Sequence, residues 1–440
     1  MIDFLFLAAF FLFPITLLIL MKVTGFSVLN VRILQFVILS LFMYSYLGIL
    51  PLYMGWDQYR LDSGVDNKEI ILKVYSFSIV TIFLVYLGGL VAKQVISHRK
   101  VFVFFSGMRL GTSEFKMLVF SLVFVFFILF IYLNKVDDVA LVVAFKEGLS
   151  KSQVARSLMS NGFENYHWYK VIMRDFGNIV TFSLFSLFVI NKNHRYKVSF
   201  LFSFLLSSFI AIMTTEKAPF AYLLIGLFLV YIILIYDSKY PIKHLIALSF
   251  MLILILAIFY MFFMGASNIV DSIISVMSRA FAGSIQPAYH YLEYFPSEHE
   301  YLYGKSFPNP GMIFPYEPYN LTIEVMNWVY PYHIDSGVIG TMPTVFWGEL
   351  YANFGFLGIV IFSFFIGVFL YILDYLFSLL ADSSLKVGFY VWCLLHYKDL
   401  SVTGLFGFIF DFYLIIVTFL FLVILLLSGC LKGRFYNSFN

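Results

Sequence analysis

Long apolar runs separated by polar connections recur along the whole chain, most of them near the roughly 20 residues that a helix needs to cross a hydrocarbon core about 30 Å thick. The pattern predicts eleven spans: Phe4–Leu20, Ile33–Tyr53, Ile70–Val91, Met117–Leu133, Val171–Ile190, Val198–Met213, Phe220–Ile235, His244–Met264, Leu350–Ile372, the less apolar Val387–Leu400, and Leu405–Leu427. Lipid offers backbone polar groups no partner, so each run is expected to be a helix. The strict alternation that marks barrel strands is absent. The opening stretch MIDFLFLAAFFLFPITLLIL lacks a basic leader and a small-residue cleavage site, and reads as a retained first span.

Two connections are too long to be turns, residues 134–170 and 265–349. The first is expected to carry an amphipathic helix over Val139–Met159. In the second, Asn268–Ile285 has helical periodicity, with Ile269, Ile273, Met277, Ala280 and Phe281 on one side and Ser272, Ser275, Arg279 and Gln286 on the other.

Composition agrees with the pattern. Hydrophobic residues make up 62% and charged residues 12% of the chain, with a mean hydropathy of +0.92, whereas soluble proteins carry about 25% charged residues. The fold class expected is therefore an all-α polytopic membrane protein. A formal charge of +3 without any dense basic run argues against nucleic acid as a partner. Cys393 and Cys430 both fall in apolar spans and read as small buried hydrophobes.

Charge also orients the ladder. The short connections after spans one, three, five and seven are basic, as is the tail with Lys432 and Arg434, and they alternate with acidic or mixed connections. Basic loops stay in the cytoplasm. The N-terminus is then outside and the C-terminus inside, and the 134–170 connection, the TTEKAP turn at 214–219 and the 265–349 loop share the outer face.

Several residues on that face have chemistry to offer. Arg279, on the polar side of its predicted helix, either touches lipid headgroups or pairs with a neighbouring acid, or it binds a phosphate or pyrophosphate, for which its planar fork is suited. Lys217 of TTEKAP either pairs with Glu216 and snorkels to water or presents a point charge to an anion. His333 and Asp335, in PYHIDSG, precede the ninth span, and His333 is the natural candidate for a general base. Glu349 stands at the head of that span, where a carboxylate also suits a helix N-terminus. Asp411 lies within the eleventh span, with Arg174 and Lys398 as candidate partners. The loop's many Tyr and Trp residues fit a membrane interface or a sugar face. The first outer loop holds Asp57, Asp62 and Asp66 but no adjacent or Asp-x-Asp pair, so neither a metal nor another cofactor is indicated, and no P-loop, Gly-x-Ser-x-Gly or His-Glu-x-x-His motif occurs.

In topology, and in the order of four phrases, the chain resembles the Wzy-type polymerases of bacterial O-antigen and capsule repeat units. The phrases are TTEKAP with a basic residue in a short outer turn, SVMSRAFAG with Arg279, PYHIDSG with His333, and GTMPTVFWGELYANFGFLG opening the next span. Arg156, in KSQVARSLM, resembles a further arginine that such proteins carry in the preceding outer loop. Two features depart from the family pattern. The turn has Lys217 where Arg is usual, and an Arg-x10-Gly spacing is not met, since Phe228 and His290 occupy those places after Lys217 and Arg279.

The resemblance implies a GT-C-like bundle of about eleven spans in the bacterial inner membrane. It also implies an enzyme that takes a growing glycan on undecaprenyl pyrophosphate as donor and a single lipid-linked repeat unit as acceptor. Lys217, Arg279 and Arg156 would hold the pyrophosphate without a metal, His333 would act as base, and Glu349 and Asp335 would stand behind it. Membrane lipid and a chain-length regulator protein are the further partners implied. An O-antigen ligase, a flippase or other transporter, and a scaffold without chemistry are the alternatives; the ligase's usual His-Asn phrase is absent from the large loop.

Overall fold

The computed structural model of the chain describes residues 2–27, 30–96, 112–160, 162–264, 268–332, 340–409 and 411–428. Among the described residues it is all helix, with one isolated bridge between Phe346 and Gly404. Among the described residues nine helices are long and apolar enough to cross a membrane: Asp3–Val23, Ile33–Met54, Lys68–Ile96, Thr112–Leu133, Tyr166–Ile190, His194–Ile212, Ala218–Ile235, Ile242–Phe262 and Phe346–Leu379. They coincide with the first nine predicted spans, and the chain is a multi-pass membrane protein. The last two predicted spans are shorter helices. Ser384–Tyr397 has 14 residues before a 3-10 turn at Lys398–Ser401, and Leu405–Leu427 divides into Leu405–Ile409 and Phe412–Leu427. The division falls at Asp411, the one carboxylate of that stretch, where an unbroken lipid-facing helix is costly.

Both predicted amphipathic helices are also divided. Val139–Met159 forms Ala140–Glu147 and Leu149–Met159, separated at Gly148, and Asn268–Ile285 forms Ile269–Ala280 and the start of Ala282–Tyr294. Ile269, Val270, Ile274 and Met277 are exposed, whereas Ser272 and Gln286, expected on the polar face, are buried. The Ser272 hydroxyl donates to the Asn268 carbonyl at 2.8 Å, so it needs no solvent.

The chain forms two compact units. The first comprises 1–100, 277–374 and 397–411. Its Lys68–Ile96 and Phe346–Leu379 helices cross backbone to backbone through glycines: a Cβ on Gly88 would lie 2.0 Å from the Phe364 carbonyl oxygen, and one on Gly367 2.0 Å from that of Val85. Helices in lipid gain their association from such close packing. Asp374 is buried on this crossing helix and accepts from the amides of Ile33 (3.0 Å) and Leu34 (3.3 Å). It therefore satisfies the first turn of a helix whose own Arg32 supplies no side-chain cap. Gly355 (φ 61°, ψ −153°) breaks the Phe346–Leu379 helix and separates the turn that bears Glu349 from the span itself. The loop that precedes it has its own core of Tyr291, Phe295, Leu302, Leu321, Val325, Met342 and Ala352, with Tyr294, Tyr319 and Tyr330 packed against it. Much of the loop's aromatic content is thus core; Trp347 is fully buried, and Tyr332 stays exposed.

The second unit comprises 101–276, 375–396 and 412–440. Here Glu114 accepts from the Leu385 amide at 2.9 Å and caps the Ser384–Tyr397 helix as Asp374 does in the first unit. A Cβ on Gly388 would lie 2.6 Å from the Ile179 carbonyl oxygen, another close crossing. Thr181 and Ser207 hydroxyls join two helices at 2.8 Å.

Because the Gly367 contact leaves no room for a side chain, Gly367→Val is expected to cost about 1–3 kcal/mol by overpacking. The lipid-facing Leu357→Ala should be near neutral by comparison. Thermal unfolding in detergent measures both, and a Gly367→Val protein that melts with the wild type would refute the crossing.

Candidate anion-binding site

In the second unit, four elements converge on an open cavity of about 640 Å3 lined by Arg156, Tyr166, His167, Lys170, Arg174, Glu216 and Tyr413 among others. Arg156 stands in the last turn of Leu149–Met159. Lys170 and Arg174 lie one turn apart on the polar head of the fifth span, and the helix between Val171 and Phe176 widens into a π-turn, a feature often found at functional positions. Glu216 comes from the turn between two spans, where Thr215 holds a left-handed φ of 57°, an unusual conformation for a β-branched residue.

The Glu216 carboxylate bridges the two guanidiniums. One oxygen lies 3.6 Å from Arg156 Nη2 and the other 3.5 Å from Arg174 Nη1. These separations exceed the roughly 2.7–2.9 Å of a tight charge-assisted hydrogen bond. The partners are also 46%, 27% and 31% exposed for Arg156, Arg174 and Glu216, so each pairing contributes at most about 1 kcal/mol. Lys170 Nζ lies 5.0 Å from the Tyr413 ring centre. Three cations face a single carboxylate, leaving the cavity net positive. That donor set fits an anion with several oxygens, and Glu216 occupies the place where such oxygens would bind.

Lys217, the expected cation of this turn, points elsewhere: its ammonium lies 3.6 Å from the centre of the Tyr260 ring, and the residue is not part of the cavity wall. Its neighbour Glu216 pairs with the two arginines. Arg279 is exposed on Ile269–Ala280, and its guanidinium makes no ion pair among the described residues. His333 and Asp335 lie outside the described residues.

Glu349 belongs to the first unit, where it is buried in the wall of a second, smaller cavity of about 240 Å3. One of its oxygens accepts from Ser306 Oγ at 2.8 Å, the other from the Phe406 amide at 3.0 Å. Asn353 completes this clamp, donating to Ser306 Oγ at 2.8 Å while its own oxygen accepts from the Gly304 amide at 2.9 Å. Glu349 thus ties three chain segments together. Burial raises the phenol of Tyr291, in the same wall, well above its ordinary value, and burial with the Tyr294 hydrogen bond raises that of Tyr319. Both are neutral hydroxyls at neutral pH.

Of the residues expected to hold an anion, the structure brings Arg156 into the cationic cavity and adds Lys170, Arg174 and Glu216. The signal for the additions was present: two cations four residues apart at the mouth of an apolar span share one helix face.

If the cavity is an anion site, inorganic pyrophosphate should bind the detergent-solubilised protein in calorimetry. Arg174→Ala should weaken binding about tenfold or more, from a charged hydrogen bond of about 1.5–3 kcal/mol. Glu216→Gln should tighten it, since the competing carboxylate is removed. Equal affinity in wild type and Arg174→Ala would dismiss the site.

No protein-family model, curated protein or solved structure matches the chain.

Proposed function

We propose that this membrane protein is a repeat-unit glycan polymerase of the Wzy type, which transfers a growing glycan from undecaprenyl pyrophosphate to a lipid-linked acceptor. The observation that carries the reading is the meeting of Arg156, Arg174 and Glu216 in one cavity. The 134–170 connection and the 214–219 turn belong to the same outer face by the charge rule, and their side chains are in contact. A positive pocket there suits a lipid pyrophosphate.

In the reaction, the bond between the donor sugar's anomeric carbon and the pyrophosphate oxygen breaks. The acceptor hydroxyl forms the new glycosidic bond and gives up its proton. Negative charge grows on the departing pyrophosphate, and preorganised Arg156, Arg174 and Lys170 stabilise it as Glu216 yields its place. The proton goes to His333. Glu349 holds the loop, because both of its oxygens already accept hydrogen bonds from the fold. In this reading the chain sits in the bacterial inner membrane with its N-terminus outside, and the shorter Ser384–Tyr397 and Phe412–Leu427 helices complete a GT-C-like bundle of about eleven spans. The exposed stripe of Ile269, Val270, Ile274 and Met277 rests in the membrane surface.

Cells carrying Arg156→Ala, Arg174→Ala or His333→Ala are expected to lose long glycan chains while single repeat units still reach the surface. Glycan size separation by gel reads this directly. A normal ladder from a well-expressed Arg156→Ala/Arg174→Ala variant would end the proposal.

A further inference from the structure

The smaller cavity of the first unit has a chemistry of its own. Its floor is closed: Tyr291, Thr344 and Glu349 are all buried. Its mouth is open, with Asn320 exposed and Thr322 and Thr403 half-buried. Among the described residues no Lys, Arg or His lines it, so an anion would meet hydroxyls, an amide and a carboxylate there. A bare cation is no better served, because a single carboxylate among neutral hydroxyls falls short of the several oxygen ligands, carboxylates among them, that a cation site gathers. A purely apolar guest would leave Thr344 as it is: among the described residues its Oγ1 is buried with no hydrogen-bond partner, a condition that costs about 1–3 kcal/mol. At about 240 Å3 the cavity lies below the roughly 300–1,000 Å3 of sites for drug-sized ligands. It suits one small ring.

We propose that this cavity, between Tyr319, Thr322, Thr344, Glu349 and Thr403, binds a single neutral, hydroxyl-bearing ring of monosaccharide size. Ring hydroxyls both donate and accept, as the wall requires: Glu349 accepts, Thr344 takes a partner in either sense, and Thr322 and Thr403 act at the rim. The half-buried Tyr319 ring offers an apolar face to the C–H side of a pyranose. Identifying the ring as a sugar of the acceptor repeat unit rests on the polymerase reading; the site itself does not.

Saturation-transfer NMR on the full-length protein in lipid nanodiscs, with a panel of methyl glycosides of hexoses, 6-deoxyhexoses and N-acetylhexosamines, tests the site. At least one glycoside should bind, and Thr322→Leu at the mouth and the near-isosteric Thr344→Val at the floor should each weaken it about tenfold or more, the factor set by about 1.4 kcal/mol. Arg174→Ala, in the other cavity, should leave it unchanged. The site is refuted if no glycoside binds the wild type, if both threonine variants bind as the wild type does, or if methyl glucuronide binds better than methyl glucoside. A protein that binds a glycoside yet elongates no lipid-linked glycan keeps the site and loses the polymerase reading. One that elongates normally while its threonine variants retain binding loses the site alone.

Discussion

Lipid offers backbone groups and charges no partner, and that constraint shapes how this protein holds its buried carboxylates. Asp374 and Glu114 are buried carboxylates, and each accepts from the free amides of a neighbouring helix N-terminus. Asp374 uses both oxygens at the helix end it meets, and Glu114 uses one. With the ends satisfied, helices can approach as closely as Gly88 and Gly367 permit. In the second unit Gly388 permits the same closeness beside Ile179, and a cluster of loosely paired charges stands on that unit's helices and turns.

Arg156, Lys170, Arg174 and Glu216 form such a cluster. Their ion pairs are long and partly exposed, hence weak, and add little to stability. In the proposed reading their consequence is functional. Weakly held cations can exchange one carboxylate for a stronger, multiply charged anion, with little loss on the protein's side. Glu349 shows the opposite arrangement, buried with its two oxygens hydrogen-bonded to Ser306 and Phe406.

Nine spans were legible because membrane thickness imposes a length that composition alone reveals. Breaks were not: Gly355 and the Asp411 interruption depend on local geometry inside apolar runs, where periodicity is silent. Arg156 was legible through its phrase, whereas Arg174 stood, with Lys398, only as a candidate partner for Asp411, because sequence distance hides the turn that brings Glu216 to it. The loop's tyrosines read as surface residues; only the tertiary structure reveals that Tyr291 and Tyr294 build a core above the spans.

The central claim is that a positive pocket of side chains drives glycan transfer from a lipid pyrophosphate. Its most direct test is reconstitution of the purified protein in liposomes with labelled undecaprenyl-pyrophosphate repeat units, following both chain growth and release of the free lipid pyrophosphate. The wild type should release one lipid pyrophosphate for each bond formed, and the Arg156→Ala/Arg174→Ala protein should do neither. Chain growth of equal rate in that variant, or none in a folded wild type, would contradict the account.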